Sequence, residues 1–456
     1  MTAIATPTSL SLATGMAMLA FATGAFAQDS PEPSNGPVFP LRNAAGRLIP
    51  PKGWNSYTGY SIAVNQEELH KNIDFLAAHL LKHGYDTVTV DNGWFLSGVG
   101  DGISIALDEF GRPESHPHFF PKGIKHTIDY AHSKGIKFGI WLLRGINRRA
   151  VEENLPVEGT KYRMRDIANK KSACPWAIAP WWNFGVDMTK PGAQEYYDGL
   201  VKKYADMGVD FIKFDDIVPN PAEVDAVVKA IAKCGRKLVL SLSPGDECKV
   251  EHSAAYRKAN MVRITSDIWD NRGSLDGTFR RWEAMQNYTG PAVGSFLDMD
   301  MVCFGPLVVT DQGGGRDCQF TPDQKRTFMV QRAMAASPLM LGGILYKMDA
   351  FSMGLFTDPD ILRCNENSVI GKLVRRDGKI DVWKTPGRAN AKTGWIGIFN
   401  RDNKPVSVEL GWVDLGLDTA AKHVLKDLWT KTDLPASDRQ RYEIPADGVV
   451  FLEYRN

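Results

Sequence analysis

Short apolar runs, rich in β-branched or aromatic side chains, recur along the chain, and each stops at a polar residue or at one of a type that active sites use. They are Thr87-Val88-Thr89-Val90-Asp91, Lys137-Phe138-Gly139-Ile140-Trp141, Phe211-Ile212-Lys213-Phe214-Asp215, Leu238-Val239-Leu240-Ser241-Leu242-Ser243 and Val262-Arg263-Ile264-Thr265-Ser266-Asp267. Each has the length and make-up of a buried strand. Helical spacing separates them. Residues 66–82 place Leu69, Ile73, Leu76 and Leu80 on one face behind Asn65, an N-cap candidate, and residues 192–207 and 221–234 read the same way. Strand and helix in alternation imply parallel strands joined by crossovers. Gly53-Trp54-Asn55, a weak run over Val293 to Leu297 and Pro338-Leu339-Met340-Leu341 bring the candidate strands to eight. The pattern therefore predicts a (β/α)8 TIM barrel over residues 49–364. A doubly wound sheet would want a glycine-rich phosphate turn after an early strand. The dense run Gly313-Gly314-Gly315 comes too late and reads as a loop.

After residue 365 the texture changes. Ile380 to Trp383, Trp395 to Phe399, Val406 to Leu410 and Gly448 to Leu452 are short strands between turns, with few helical signals. They predict a C-terminal antiparallel β-sandwich over residues 365–456. At the other end, residues 1–27 carry no charged side chain and finish in Ala25-Phe26-Ala27. This reads as an export signal that lacks the usual basic start, so a periplasmic or secreted location is expected. Thr and Ser interrupt the apolar run, which argues against a permanent membrane span. Residues 28–48 read as a flexible lead.

Composition narrows the partners. Lys+Arg number 54 and Asp+Glu 53, for a net charge of +1, so no cationic surplus is present to bind nucleic acid. The 43% apolar and 23% charged content is that of an ordinary folded protein. The six cysteines form no CxxC pair, which leaves their pairing open. His116-Pro117-His118 lies in a loop after Asp91 rather than at a strand end, so no metal or other cofactor is expected. Nothing fixes the oligomeric state.

A barrel of this kind gathers its chemistry at the C-terminal ends of its strands. The residues there are Trp54, Asp91, Trp141, Lys213, Asp215, Ser243, Arg263, Asp267 and Asp300. Carboxylates and cations bond sugar hydroxyls, and flat aromatics stack on a pyranose face. Two of the carboxylates could form a nucleophile and acid/base pair. Taken singly, an Asp at a strand end is more often a cap or turn residue, and a Trp more often core. A sugar-binding barrel without catalysis, or a barrel aldolase using Lys213, are the readings from other classes.

The order and spacing of Gly53-Trp54-Asn55-Ser56, Val90-Asp91, His132 to Ile140, Lys213-Phe214-Asp215, Arg263-Ile264-Thr265-Ser266-Asp267, Asp298-Met299-Asp300-Met301 and Ser337-Pro338-Leu339-Met340 resemble glycoside hydrolase family 27. This is the α-galactosidase and α-N-acetylgalactosaminidase (melibiase) family. Arg144-Gly145, Cys174-Pro175-Trp176 and Ser241 to Gly245 look like its bacterial branch. The resemblance implies a barrel followed by a sandwich, and metal-free hydrolysis of terminal α-linked sugars with retention. Asp215 resembles the nucleophile and Asp267 the acid/base. Trp54, Asp91, Lys213, Arg263 and Asp300 resemble positions that contact the glycone.

The chain also departs from the pattern. Asp91-Asn92 stands where α-galactosidases carry two Asp residues, so a carboxylate for the C6 hydroxymethyl is missing. Trp141 replaces a family tyrosine. Asp216-Ile217 follow Asp215 where the family has a cysteine, and Ser243 lies near the usual glutamate that reads O2. A small residue there would leave room for a 2-acetamido group. The first expectation is an α-D-galactoside substrate. α-N-Acetylgalactosaminidase, β-L-arabinopyranosidase and isomalto-dextranase activities are the alternatives.

Overall fold

A computed structural model describes residues 35–98, 103–174, 183–244, 248–310, 313–435 and 437–456. The expected export signal lies outside the described residues, as do residues 28–34 of the lead.

Eight parallel strands form the first sheet: β1 (Lys52–Asn55), β2 (Thr87–Val90), β3 (Lys137–Leu143), β4 (Phe211–Asp215), β5 (Val239–Leu242), β6 (Met261–Arg263), β7 (Phe296–Asp298) and β8 (Leu339–Leu341). Their order is β7-β6-β5-β4-β3-β2-β1-β8, so each strand lies beside its sequence neighbour and β8 returns to β1. Beyond β7 the chain reaches β8 at Val302, whose N–H donates to the Met340 carbonyl (2.8 Å) and whose carbonyl accepts from Gly342 (2.9 Å). The (β/α)8 architecture follows from strands buried on both faces, as in Thr87–Val90, and from amphipathic crossovers.

The helices begin and end on clear chemical signals. In α1 (Gln66–His79) the Asn65 side chain accepts from the Glu68 N–H (2.9 Å). After α2 (Ile124–Ser133), α3 (Ala193–Met207) stops at Gly208, whose φ of 96° suits glycine. Pro221 opens α4 (Pro221–Lys233), and Asn271 caps α5 (Arg272–Met285). Thr321 and Gln324 form a capping box on α6 (Pro322–Met334), and α7 (Ala350–Thr357) and α8 (Pro359–Glu366) follow. An insertion after β3 forms a small antiparallel sheet from Ile146–Asn147, Asn183–Val186 and Ala168–Asn169.

The C-terminal region is antiparallel. Its larger sheet contains β9 (Lys372–Asp377), β10 (Ile380–Pro386), β11 (Thr393–Asn400), β13 (Val424–Asp427), β14 (Thr432–Asp433) and β16 (Val449–Arg455), in the order β9-β10-β11-β16-β13-β14. Its smaller sheet pairs β12 (Val406–Gly411) with β15 (Arg439–Ile444). Alternation along β10 and β11 divides their side chains between two cores. Val382, Ile396 and Ile398 fill the sandwich, whereas Trp383, Trp395 and Phe399 belong to the cluster that continues into the barrel. There Trp383 stacks on Trp282 of α5 (centroids 3.7 Å apart, planes at 15°), and Phe399 meets Phe279 edge-on at 5.0 Å.

Two details differ from the sequence pattern. The seventh strand is Phe296–Asp298 rather than Val293 to Leu297, because Gly290–Ala292 makes a turn and Gly294 takes φ 90°. Strands β9, β13 and β15 carry many charged residues, which disguised them. In β15 only Tyr442 and Ile444 are buried.

Truncating Trp383 to Ala removes a fully buried ring from the junction between the two regions. We expect a loss of about 3–5 kcal/mol, seen by calorimetry as a lower Tm with a single transition retained. Two separate transitions in the parent protein would contradict the shared core.

Candidate active site

At the C-terminal ends of the strands, Asp91, Asn92, Trp141, Lys213, Asp215, Arg263 and Asp267 line one cavity of about 430 Å³, completed by Tyr57, Pro244, Ser266 and Met301. A larger depression of about 790 Å³ lies beside Lys82, His83 and Gly84, which precede β2, and brings in only one carboxylate, Glu366. The smaller cavity is therefore the one with the chemistry.

Period-two alternation puts Lys213 and Asp215 on the same face of β4. The Lys213 ammonium donates to Asp91 Oδ2 (2.9 Å), which also accepts from Asn55 Nδ2 (2.7 Å). The Asp91 N–H donates to Ser56 Oγ (2.9 Å), so β1 and β2 hold this carboxylate between them. Asp215 accepts from the Trp141 indole (3.0 Å) through Oδ2 and from the Ser243 hydroxyl through Oδ1. Across the cavity, Arg263 donates to Asp267 Oδ1 (2.9 Å) and lies 3.3 Å from Asp300. Asp300 in turn accepts from the Ile268 N–H (2.9 Å) and so fixes the turn that carries Asp267. Asp300 adopts φ 68°, and its N–H donates to Asp298 (2.9 Å).

The two candidate catalytic carboxylates are pushed in opposite directions. Burial drives Asp215 up, but the charges of Lys213 and Arg263, with hydrogen bonds from Ser243 and Trp141, bring it below the ordinary carboxylate value. Partial burial raises Asp267. Arg263 and Lys213 oppose that rise, and the negative charges of Asp300 and Asp215 add to it. The Asp267 side chain is 57% exposed, so its concave surroundings and neighbouring carboxylates act on a group still open to water. Asp298 is raised further, to about 7, by full burial and by Asp300. Burial lifts the Tyr57 hydroxyl to about 12, helped by Asp267 and Asp91.

Three of the expected sugar contacts stand behind the cavity wall. Trp54 is fully buried, packs edge-on against Tyr60 (6.3 Å) and donates its indole N–H to the Gly343 carbonyl (2.7 Å). The expected sugar platform is a core residue, because alternation turns its side chain away from the face occupied by Asn55. Ser243 and Asp300 are also buried, and they act on Asp215 and on the Asp267 turn rather than on the cavity surface. The sequence reading missed Asn55, Ser56 and Tyr57; strand period alone favours Asn55 over Trp54. It also missed the part played by Arg144. The Arg144 N–H donates to the Asp215 carbonyl (2.9 Å), and its buried guanidinium joins Asp216 (3.1 Å) to Glu223 (2.7 Å).

Among the described residues no group of three or more His, Cys, Asp or Glu is arranged to hold a metal ion. His116 Nδ1 accepts from the His118 N–H (3.1 Å). The six cysteines form no disulfide, and no helix among the described residues is long and apolar enough to cross a membrane.

Comparison with known proteins bears on this arrangement. The family model described as alpha galactosidase A matches residues 50–153 and 184–367, and that of the alpha galactosidase C-terminal beta sandwich domain matches 377–454. A solved GH27 β-L-arabinopyranosidase from Geobacillus stearothermophilus is 34% identical, with a TM-score of 0.83 over 90% of this chain and 97% of that one. An alpha-galactosidase of Oryza sativa subsp. japonica is 25% identical over 405 residues, covering 87% of this chain and 82% of the relative. An isomalto-dextranase of Arthrobacter globiformis is 26% identical over 457 residues, covering 89% and 66%. Matched along both barrel and sandwich, the chain belongs to glycoside hydrolase family 27 and is a glycoside hydrolase with a carbohydrate substrate.

Proposed function

We propose that the protein is a retaining exo-glycosidase that releases terminal α-D-galactopyranosyl residues by double displacement. The observation that carries this reading is the placement of Asp215 and Asp267 on one pyranose-sized cavity, in surroundings that push the first below and the second above the ordinary carboxylate range. Asp215, kept ionised by Lys213 and Arg263, attacks the anomeric carbon. Asp267, kept protonated longer, gives its proton to the departing oxygen. With the glycosyl-enzyme formed, Asp267 takes a proton from water, which attacks the same carbon from the face opposite Asp215; the carbon–oxygen bond to Asp215 breaks, and its carboxylate is released. Trp141 and Ser243 hold the nucleophile by its two oxygens while Asp91 and Lys213 engage ring hydroxyls. The leader over residues 1–27 supports export.

A second reading is favoured by Asn92. β-L-Arabinopyranose presents the galactose ring without its C6 hydroxymethyl group. Asn92 brings no second carboxylate to hold that group, and a 34% identical relative is a β-L-arabinopyranosidase. An acetamido-bearing glycone has less support, since Ser243 gives its hydroxyl to Asp215 and does not line the cavity.

Nitrophenyl α-D-galactopyranoside, β-L-arabinopyranoside and α-N-acetylgalactosaminide, followed by proton NMR, test both readings. We expect turnover of the first or second with the anomeric configuration of the released sugar retained. An inverted product would refute the mechanism. Asp215→Ala should abolish turnover. Asp267→Ala should slow the hydrolysis of a disaccharide by about 10²–10⁴-fold, and that of a nitrophenyl glycoside less, because nitrophenolate leaves without a proton.

The pH profile of kcat/KM should be bell-shaped. Activity requires ionised Asp215, so it falls as pH drops through that lowered value. It requires protonated Asp267, so it falls again as pH rises through that raised value. Lys213→Met removes a cation that lowers Asp215, and the acidic limb should move up by about one pH unit or more. An unmoved acidic limb would show that Lys213 does not set the nucleophile.

A further inference from the structure

A second cavity, of about 400 Å³, adjoins the catalytic one, and Ser266 and Asp267 belong to the walls of both. It is also bounded by Thr265, by Ser274 and Gly277 of α5, and by Arg280. Three features distinguish it from an ordinary surface hollow. Thr265 is 2% exposed, yet its hydroxyl has no hydrogen-bond partner among the described residues. Glycine weakens a helix, yet α5 carries Gly273 and Gly277 within it. Packing does not account for Gly277, and at Gly273 only the capping side chain stands close. A Cβ on Gly273 would meet only Asn271 Oδ1 (3.2 Å), and one on Gly277 only Arg280 Nη2 (3.5 Å). Arg280 is exposed and makes no ion pair with any described residue, whereas its neighbour Arg281 donates to the carbonyls of Ile264 and Cys248.

We infer that this second cavity is the subsite for the leaving group, and that Arg280 selects an aglycone carrying a carboxylate, such as a uronic acid residue. The inference rests on the reading of Asp267 as acid/base. When Asp215 forms its bond to the anomeric carbon, the bond from that carbon to the glycosidic oxygen breaks, and Asp267 supplies the proton that makes this oxygen a hydroxyl. The oxygen therefore lies against Asp267, with the glycone on one side and the aglycone on the other. The catalytic cavity takes the first, and the space cleared by Gly273 and Gly277 receives the second. There Ser274 borders the space, and Arg280 offers an uncompensated fork of donors suited to a carboxylate.

The test uses three substrates that share whichever glycone the enzyme accepts: a nitrophenyl glycoside, a disaccharide with glucose as leaving group, and a disaccharide of the same linkage with glucuronate. The parent enzyme should prefer glucuronate to glucose in kcat/KM. Arg280→Ala should reduce that preference at least about tenfold, chiefly through KM, and Arg280→Lys should restore part of it. Gly277→Val, which narrows the cavity, should lower kcat/KM for both disaccharides relative to the nitrophenyl glycoside. No preference in the parent enzyme, or one that Arg280→Ala leaves intact, overturns the inference while nitrophenyl hydrolysis keeps the proposed function standing. Failure to hydrolyse any nitrophenyl glycoside would instead remove the function on which it rests.

Discussion

Two buried cations, Lys213 and Arg263, allow a crowd of carboxylates to coexist at the barrel mouth. Asp91, Asp215, Asp267, Asp298 and Asp300 all stand close enough to appear in one another's electrostatic surroundings or in those of the two cations. Without positive charge in that low-dielectric space, mutual repulsion would protonate most of them. Lys213 and Arg263 are both held more firmly charged than usual despite burial, because the surrounding aspartates outweigh their desolvation. Such networks are a poor route to stability. What this one achieves is asymmetry: Asp215 combines the charges of both cations with hydrogen bonds from Ser243 and Trp141, whereas Asp267, though paired with Arg263, also feels the negative charge of Asp300 and Asp215.

Behind Asp215 a second charged cluster ties β4 to its helices. Asp216 takes φ 59°, a conformation a non-glycine residue seldom adopts. Arg144 bridges it to Glu223 on α4, and Glu223 also accepts from the Tyr197 hydroxyl on α3. Burial raises Asp216 to about 6, with Asp215 adding to that rise and Arg144 opposing it. The carbonyl of Asp215 accepts from the Arg144 backbone N–H, so Asp215 is positioned from its main chain as well as from its side chain.

The barrel was legible in the sequence because its strands are buried on both faces and read as unbroken apolar runs. The site was legible as far as strand ends name it, which brought out Asp91, Lys213, Asp215, Arg263 and Asp267. What strand ends do not convey is direction. Trp54 and Asn55 are adjacent, and only the face each occupies makes one core and the other a partner of Asp91. The sandwich was less visible because strands such as Lys372–Asp377 expose a charged face, and a turn of Gly290–Ala292 displaced the seventh barrel strand. Arg144 was hidden because its partners, Asp216 and Glu223, are dispersed along the chain and meet only after folding.

Helix α5 serves two neighbourhoods at once. Its inner residues Phe279 and Trp282 are clasped by Phe399 and Trp383, while its other side borders Asp267. The appended module is thus a splint for one bank of the reaction chamber. A chain ending before it would bare two large rings to water and leave that bank unbraced. Losing that module would loosen the wall beside Asp267 along with the seam.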